Sequence, residues 1–380
     1  MVKIYDIDIN IIIQDIYNFL IDLFRNGIIT LEVSDNNFKI EETLVSSVEE
    51  KEIVNKIYKY YYRNKMPYKV FIELTYNCNL RCSHCYLGTE QNKTIYFDIN
   101  YIKRLIESFQ KAGVIEVFIT GGEPMLHPDF FEIVSMMSSS GFAVTILTNG
   151  TEISRDLAKK LINSGINDIR VSLYGPKDYH DNFVGLDGAF QKSISGLEYL
   201  RDIGGLGTAV TVLNKDNISR MDELISYLNL LVIRHEMSPL IFPTLERNKE
   251  PIKLRLKNDQ LEKVLKQYQM YIGGTICTAG ISRFRISPNG EVNPCEMLRH
   301  ILLGNIYTNS FMEIMNSKER GKWIKYLEDK KNKITKCSRC TTKKYCPNCI
   351  GIGYLETGNM LDISTYACDI AKIQSSYLNS

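Results

Sequence analysis

The sequence predicts an α/β protein: about six strand–helix units in the middle of the chain, a small α+β region before them and a cysteine-rich region after them. Two observations carry this expectation. Short runs rich in apolar and β-branched residues recur between residues 69 and 242, with helix-period stretches between them. The ten cysteines among 380 residues fall into two sets, one just after the first of these runs and one beyond residue 270.

In chain order, Ile12, Ile16, Phe19, Leu20 and Leu23 form one apolar helical face that Gly27 closes. Ile29, Leu31 and Val33 alternate with polar residues, residues 34–37 make a turn, and Phe38 and Ile40 alternate again. Val48, Val54, Ile57 and Tyr61 predict another helix. Residues 69–75 read as a buried parallel strand. Further strands are expected at 117–120, 143–147, 168–173 and 208–213, with a last one near 239–242. Ile102, Leu105, Ile106 and Phe109 predict a helix that stops at Gly113. Ser154 is placed to cap one that carries Leu157 and Leu161 and stops at Gly165. Residues 257–266 and 318–333 read as solvated helices.

Composition bounds the function classes. The net charge is +2 with both signs interspersed, so no nucleic-acid-binding surface is expected. No apolar stretch is long enough to span a bilayer, and the first residues carry charges where a signal peptide would be apolar. A cytoplasmic protein without membrane partners is the expectation. In that compartment ten cysteines point to metal ligation before disulfides.

The most specific motif is Cys78-x3-Cys82-x2-Cys85, just past the C-terminal end of the first strand, where ligands of α/β sheets bind. A cubane iron–sulfur cluster takes four thiolates, so three in one loop leave an iron open to substrate or cofactor. The strand at 117–120 runs into Gly121-Gly122-Glu123-Pro124, whose glycines allow close backbone approach to a ligand and whose carboxylate can accept from an ammonium. For the triplet alone a zinc knuckle is the rival. For the second motif the rival is an ordinary turn before a helix.

Together the two motifs resemble the radical S-adenosylmethionine superfamily. The resemblance implies a partial (β/α)6 TIM-like barrel in which Cys78, Cys82 and Cys85 hold a catalytic [4Fe-4S] cluster and the methionine end of S-adenosyl-L-methionine chelates its fourth iron. It further implies that Gly121, Gly122 and Glu123 hold that methionine moiety and that Tyr86 lies near the adenine. Asn149 and Ser172, at two later strand ends, become candidates for the ribose and carboxylate, with turn chemistry as their rival role. Residues 179–181 with Gly188, Ala189 and Phe190 also look like the family, while His180 itself reads as a surface loop histidine.

The second cysteine set comprises Cys277, Cys295, Cys337, Cys340, Cys346, Cys349 and Cys368. The CxxC-x5-CxxC within it would suit a zinc ribbon, but seven cysteines exceed one zinc. Their order, with Gly290 between the first two, resembles the SPASM extension of radical S-adenosylmethionine enzymes, which implies two auxiliary [4Fe-4S] clusters. By that resemblance Cys337, Cys340, Cys346 and Cys368 ligate a distal cluster, and Cys277, Cys295 and Cys349 a proximal one that has an open iron or a non-cysteine ligand. The two residues between Cys346 and Cys349, where the family more often has three, put the role of Cys349 in question.

The domain expectation is therefore 1–67, 68–260 and 261–380. The N-terminal region resembles the winged-helix element by which ribosomal-peptide maturases add a leader peptide as a strand; a helical cap that shields the barrel is the rival. The expected activity is hydrogen abstraction by a 5′-deoxyadenosyl radical that cross-links or oxidises a ribosomally made precursor peptide, leader plus core, with a flavodoxin or ferredoxin type reductant. Rival functions are a sulfatase-maturase-like oxidase, a haem or tetrapyrrole modifier and, outside enzymes, a zinc-stabilised peptide-binding scaffold.

Overall fold

The computed structural model describes residues 47–378 apart from 92, 205–206, 274–275, 334–336 and 338. The chain forms two compact units, residues 1–66 and 67–380. In the first, the helix read from Val48, Val54, Ile57 and Tyr61 is present at Ser47–Arg63. The helix and hairpin expected between residues 12 and 40 lie outside the described residues, so the winged-helix reading does too.

The second unit is built on one mostly parallel sheet. Strands β1 (Lys69–Glu73), β2 (Glu116–Thr120), β3 (Ala143–Thr148), β4 (Asp168–Ser172), β5 (Gly207–Val212) and β6 (Arg234–Ser238) lie side by side in chain order. A helix follows each of the first five, and the sheet alternates accordingly. Val70, Ile72, Val117, Ile119, Val144, Ile146, Ile169 and Val171 are fully buried. The intervening positions carry Phe71 stacked on Phe118 at 4.6 Å, and the polar residues Lys69, Glu116, Asp168 and Arg170. Each aliphatic side chain buried this way stabilises the unit by about 1.5–3 kcal/mol.

The helix ends follow local chemistry. Helix Ile102–Ala112 stops where Gly113 turns left-handed at φ 77°. Helix Arg155–Asn163 starts where the Ser154 hydroxyl accepts from the Leu157 amide at 3.1 Å.

One strand differs from expectation. The apolar run 239–242 is irregular, and the sixth strand is the polar segment Arg234–Ser238 before it. Its edge position accounts for the polarity: Arg170 reaches Glu236 at 3.0 Å and Arg234 approaches Asp168 at 3.6 Å, so charge pairs take the place of apolar packing. Pro239 has no N–H for a ladder, and its carbonyl accepts from the Tyr366 hydroxyl at 3.1 Å.

The C-terminal part extends the same sheet beyond β1. Strand β7 (Arg283–Ile286) pairs parallel to β1, and β8 (Glu291–Asn293) and β9 (Gly304–Asn305) follow antiparallel. Gly290 makes the β7–β8 turn at φ 77°, with Asn305 Oδ1 only 2.7 Å from where a Cβ would stand. That is the reason for a glycine between Cys277 and Cys295. Helices Lys318–Lys333, Ile350–Thr357 and Thr365–Leu378 complete the unit.

Candidate functional site

Strand β1 delivers the cysteine loop to the C-terminal edge of the sheet. The loop rests on a core of Leu80, Tyr174, Phe183, Val184 and Ala189, against which Cys78 and Cys82 pack. The backbone amides of Arg81 and Ser83 donate to the carbonyls of Val184 and Phe183 at 2.8 and 3.1 Å. Burial pushes the Cys78 thiol up to about 11, and the charges of Glu123 and Cys85 add to it. Burial also raises Cys82, with the charges of Cys85 and Cys78 as further causes.

The two glycines after β2 serve the loop itself. Gly122 N donates to Thr75 O and Glu123 N to Asn77 O, both at 2.8 Å. A Cβ at Gly121 would stand 2.3 Å from Thr75 O, and one at Gly122 would stand 2.4 Å from Asn77 O. The backbone approached is thus the start of the cysteine loop. Glu123 is fully buried and accepts from Thr148 Oγ1 at 2.7 Å, Asn149 N at 2.8 Å and Met125 N at 3.1 Å. Burial nevertheless raises its carboxyl to about 7.

The weaker candidates are tied to the same assembly. Asn149 donates from Nδ2 to Asn79 Oδ1 in the cysteine loop at 2.8 Å, and its own Oδ1 accepts from the Thr151 amide and hydroxyl. Ser172 ends β4 and is half-buried. Tyr174, which the sequence reading passed over, belongs to the buried core against which Cys82 packs.

His180 is not a surface loop residue. It lies in helix Lys177–Val184, fully buried, with Nδ1 accepting from Tyr174 N at 3.2 Å and its ring 5.7 Å from the Tyr174 ring. Pro176 starts a helix there, which turns the histidine inward under the loop. The neighbouring Asp181 accepts from Gly188 N at 2.8 Å and Phe190 N at 2.7 Å, which accounts for the spacing of that motif as a cap on helix Ala189–Ile203.

Among the seven C-terminal cysteines, the charges that act on one another fall into two sets. Burial raises the pKa of Cys277, Cys295 and Cys349, and Cys349 adds its charge at both of the others. Burial likewise raises Cys337, Cys346 and Cys368, each with Cys340 among the further causes. Asn348, left-handed at φ 39°, turns the chain between Cys346 and Cys349. Cys349 stands at the N-terminus of helix Ile350–Thr357 without a side-chain cap hydrogen bond. Lys330 donates to Met360 O, and burial lowers its pKa against the charges of Cys277, Cys337 and Cys349.

A charge network that sequence reasoning missed joins the two parts of the unit. Glu73, at the end of β1 and fully buried, accepts from Arg285 Nε at 3.0 Å and from Arg299 Nη2 at 2.7 Å. The Tyr76 hydroxyl and Asn293 complete it.

These residues fit iron–sulfur clusters. Buried thiols with raised pKa resist ionising on their own, and a cationic cluster supplies the missing positive charge. Backbone amides already point at the sulfurs, Leu80 N to Cys78 at 3.5 Å and Asn348 N to Cys346 at 3.4 Å. Among the described residues no three His, Cys, Asp or Glu side chains converge as on a single metal ion. A cubane spreads its ligands more widely.

Known proteins resemble this chain in both parts. Residues 72–228 match the Radical SAM superfamily, and residues 277–341 match SPASM, an iron–sulfur cluster-binding domain. The AdoMet-dependent heme synthase of Methanosarcina barkeri is 28% identical over 79% of this chain and 96% of its own length. The antilisterial bacteriocin subtilosin biosynthesis protein AlbA of Bacillus subtilis is 27% identical over 75% of this chain and 67% of its own. The structure of Streptococcus suis SuiB bound to the precursor peptide SuiA covers 94% of this chain and 89% of that one, at a TM-score of 0.65 and 17% identity, and shares its fold. This chain belongs to the radical S-adenosylmethionine enzymes with a SPASM domain, whose cofactors are iron–sulfur clusters and S-adenosyl-L-methionine.

Proposed function

We propose that this enzyme matures a ribosomally made precursor peptide. The observation that carries the reading is the compact unit at residues 1–66, ahead of the domain that holds the cysteine loop. The heme synthase is matched over nearly all of its own length by 79% of this chain, which leaves about a fifth without a counterpart there; the SuiB fold covers 94%. A leader-docking unit would account for the difference, since binding far from the chemistry delivers the core peptide at high effective concentration. The similarity to AlbA supports the same substrate class.

In this reading Cys78, Cys82 and Cys85 hold the catalytic cluster, and the two C-terminal groups hold a distal and a proximal one. Bound cluster and S-adenosylmethionine would supply a 5′-deoxyadenosyl radical able to take hydrogen from an unactivated carbon. The chain's own part is positioning. Gly121 and Gly122 seat the cysteine loop, Glu123 presents a fully buried carboxylate beside it, and Tyr86 and Tyr174 flank the cysteines. A flavodoxin or ferredoxin type protein would supply the electrons.

The identity to heme synthases over most of the chain favours a second reading, an iron porphyrin as substrate. Anaerobic incubation of the reconstituted enzyme with reductant, S-adenosylmethionine and either substrate separates the two. The peptide reading expects 5′-deoxyadenosine release coupled to a mass change in a precursor peptide encoded beside the gene. Turnover with the iron porphyrin and none with the peptide would reverse it.

A further inference from the structure

We propose that Arg299 is the positioning residue that links the catalytic cysteine loop to the C-terminal cysteines and raises the reduction potential of the cluster the loop holds. The proposal rests on the reading that Cys78, Cys82 and Cys85 ligate a cluster.

The geometry begins with how the guanidinium is fixed. Arg299 Nε donates to Glu296 O at 3.1 Å, Nη1 to the Tyr76 hydroxyl at 3.2 Å and Nη2 to Glu73 Oε1 at 2.7 Å. Its Cζ lies 5.4 Å from the centroid of the Tyr76 ring and 5.9 Å from that of Tyr86. Tyr86 directly follows Cys85, and Glu296 directly follows Cys295. One side chain therefore touches the residue next to a cysteine of each set, and with donors engaged on three sides and two rings against it, it cannot swing away.

The charge count gives this fixed cation a purpose. Glu73 is one carboxylate shared by two guanidiniums, those of Arg285 and Arg299, with side chains 1% and 14% exposed. Tyr76 adds no negative charge at neutral pH, because a phenol ionises only near pH ~10. The node therefore carries one positive charge in excess, in an interior where solvent screens little. Cys85 is the ligand whose neighbour in the chain, Tyr86, has its ring against this cation. A cluster held by thiolates becomes more negative on reduction, so a fixed cation beside one of its ligands favours the reduced form. Arg81 is also close to Cys78 and Cys85, yet it is exposed to solvent and screened.

Anaerobically reconstituted full-length protein, titrated electrochemically with electron paramagnetic resonance as the readout, tests the assignment. The catalytic cluster is the one whose signal changes shape when S-adenosylmethionine is added. In Arg299→Gln the ratio of reduced to oxidised catalytic cluster at fixed potential should fall about tenfold, a midpoint lower by ~59 mV for one electron, with the auxiliary midpoints unmoved. Arg299→Lys should hold the wild-type midpoint, Glu73→Gln should shift it upward, and Arg81→Gln should move it less than Arg299→Gln does. If Arg299→Gln loses iron, the opposite-signed shift in Glu73→Gln decides. A wild-type midpoint in Arg299→Gln, or Arg299→Gln and Glu73→Gln shifting the same way, would overturn the role of Arg299. A wild-type protein without any signal responsive to S-adenosylmethionine would instead sink the cofactor reading beneath it.

Discussion

Glu123 is a fully buried carboxyl with three hydrogen-bond donors and no cation beside it among the described residues, and the balance leaves it near neutrality. Burial dominates, and the donors from Asn149, Thr148 and Met125 recover only part of the loss. Its pKa moves from 4.5 in the unfolded chain to about 7 in the folded one. Below 4.5 both states hold the proton and the folded protein has its full stability. As pH rises to about 7 only the unfolded state releases the proton, and stability falls, by about 3 kcal/mol in all. Glu123→Gln removes this dependence while adding a constant penalty, because an amide group must face the Asn149 N–H. The difference in melting temperature, variant minus wild type, should therefore be more positive at pH 8 than at pH 5. An equal difference at both would mean that Glu123 is ionised throughout. An ammonium docking beside Glu123 would draw the pKa down again, which is a use for a carboxylate kept poised rather than paired.

At the scale of elements, the seat of the cysteine loop is a close backbone contact, and it is testable by one methyl group. Gly122→Ala would place its Cβ 2.4 Å from Asn77 O and 2.6 Å from Tyr76 O, both backbone atoms of the loop's first turn. The loop must shift, and the variant should lose about a third of the bound iron on reconstitution, as for one cubane of three. Gly321→Ala is the contrast: no heavy atom lies within 4 Å, and in helix Lys318–Lys333 the change should raise stability by up to about 1 kcal/mol. Full iron content in Gly122→Ala would show that the loop does not depend on this contact. Why some elements could be read in the sequence and others could not follows from the same physics. Strands β1 to β4 advertise their buried face through Val and Ile at alternate positions. Strand β6 is held by charge pairs at a sheet edge, so the apolar run beside it drew the strand assignment instead. The network of Glu73 with Arg285 joins residues 212 positions apart, and no local pattern records such a pairing. His180 sits inward because a helix starts at Lys177, a consequence of chain path more than of composition. The expected cysteine groups came from family spacing alone, and the left-handed turn at Asn348, φ 39°, lies within the shortened spacing.

The whole molecule comprises the unit at residues 1–66 and the unit at residues 67–380, which is built on one nine-stranded sheet. If residues 1–66 dock a leader, protein lacking them should keep its iron and slow, uncoupled S-adenosylmethionine cleavage while losing turnover of the full-length precursor, as followed by product mass. A truncated enzyme that modifies its precursor normally would remove the leader-binding role, and an insoluble one would favour a shielding cap. The claim underneath all of this is that the ten cysteines hold three cubane clusters, of which the first is catalytic. Iron content and S-adenosylmethionine cleavage, measured together on anaerobically reconstituted protein, test it most directly. The account expects about twelve irons per chain, and loss of about four of them with all 5′-deoxyadenosine formation when Cys78, Cys82 and Cys85 are replaced together by Ala. Stoichiometric zinc without iron–sulfur absorbance, or cleavage that survives the triple replacement, would contradict it.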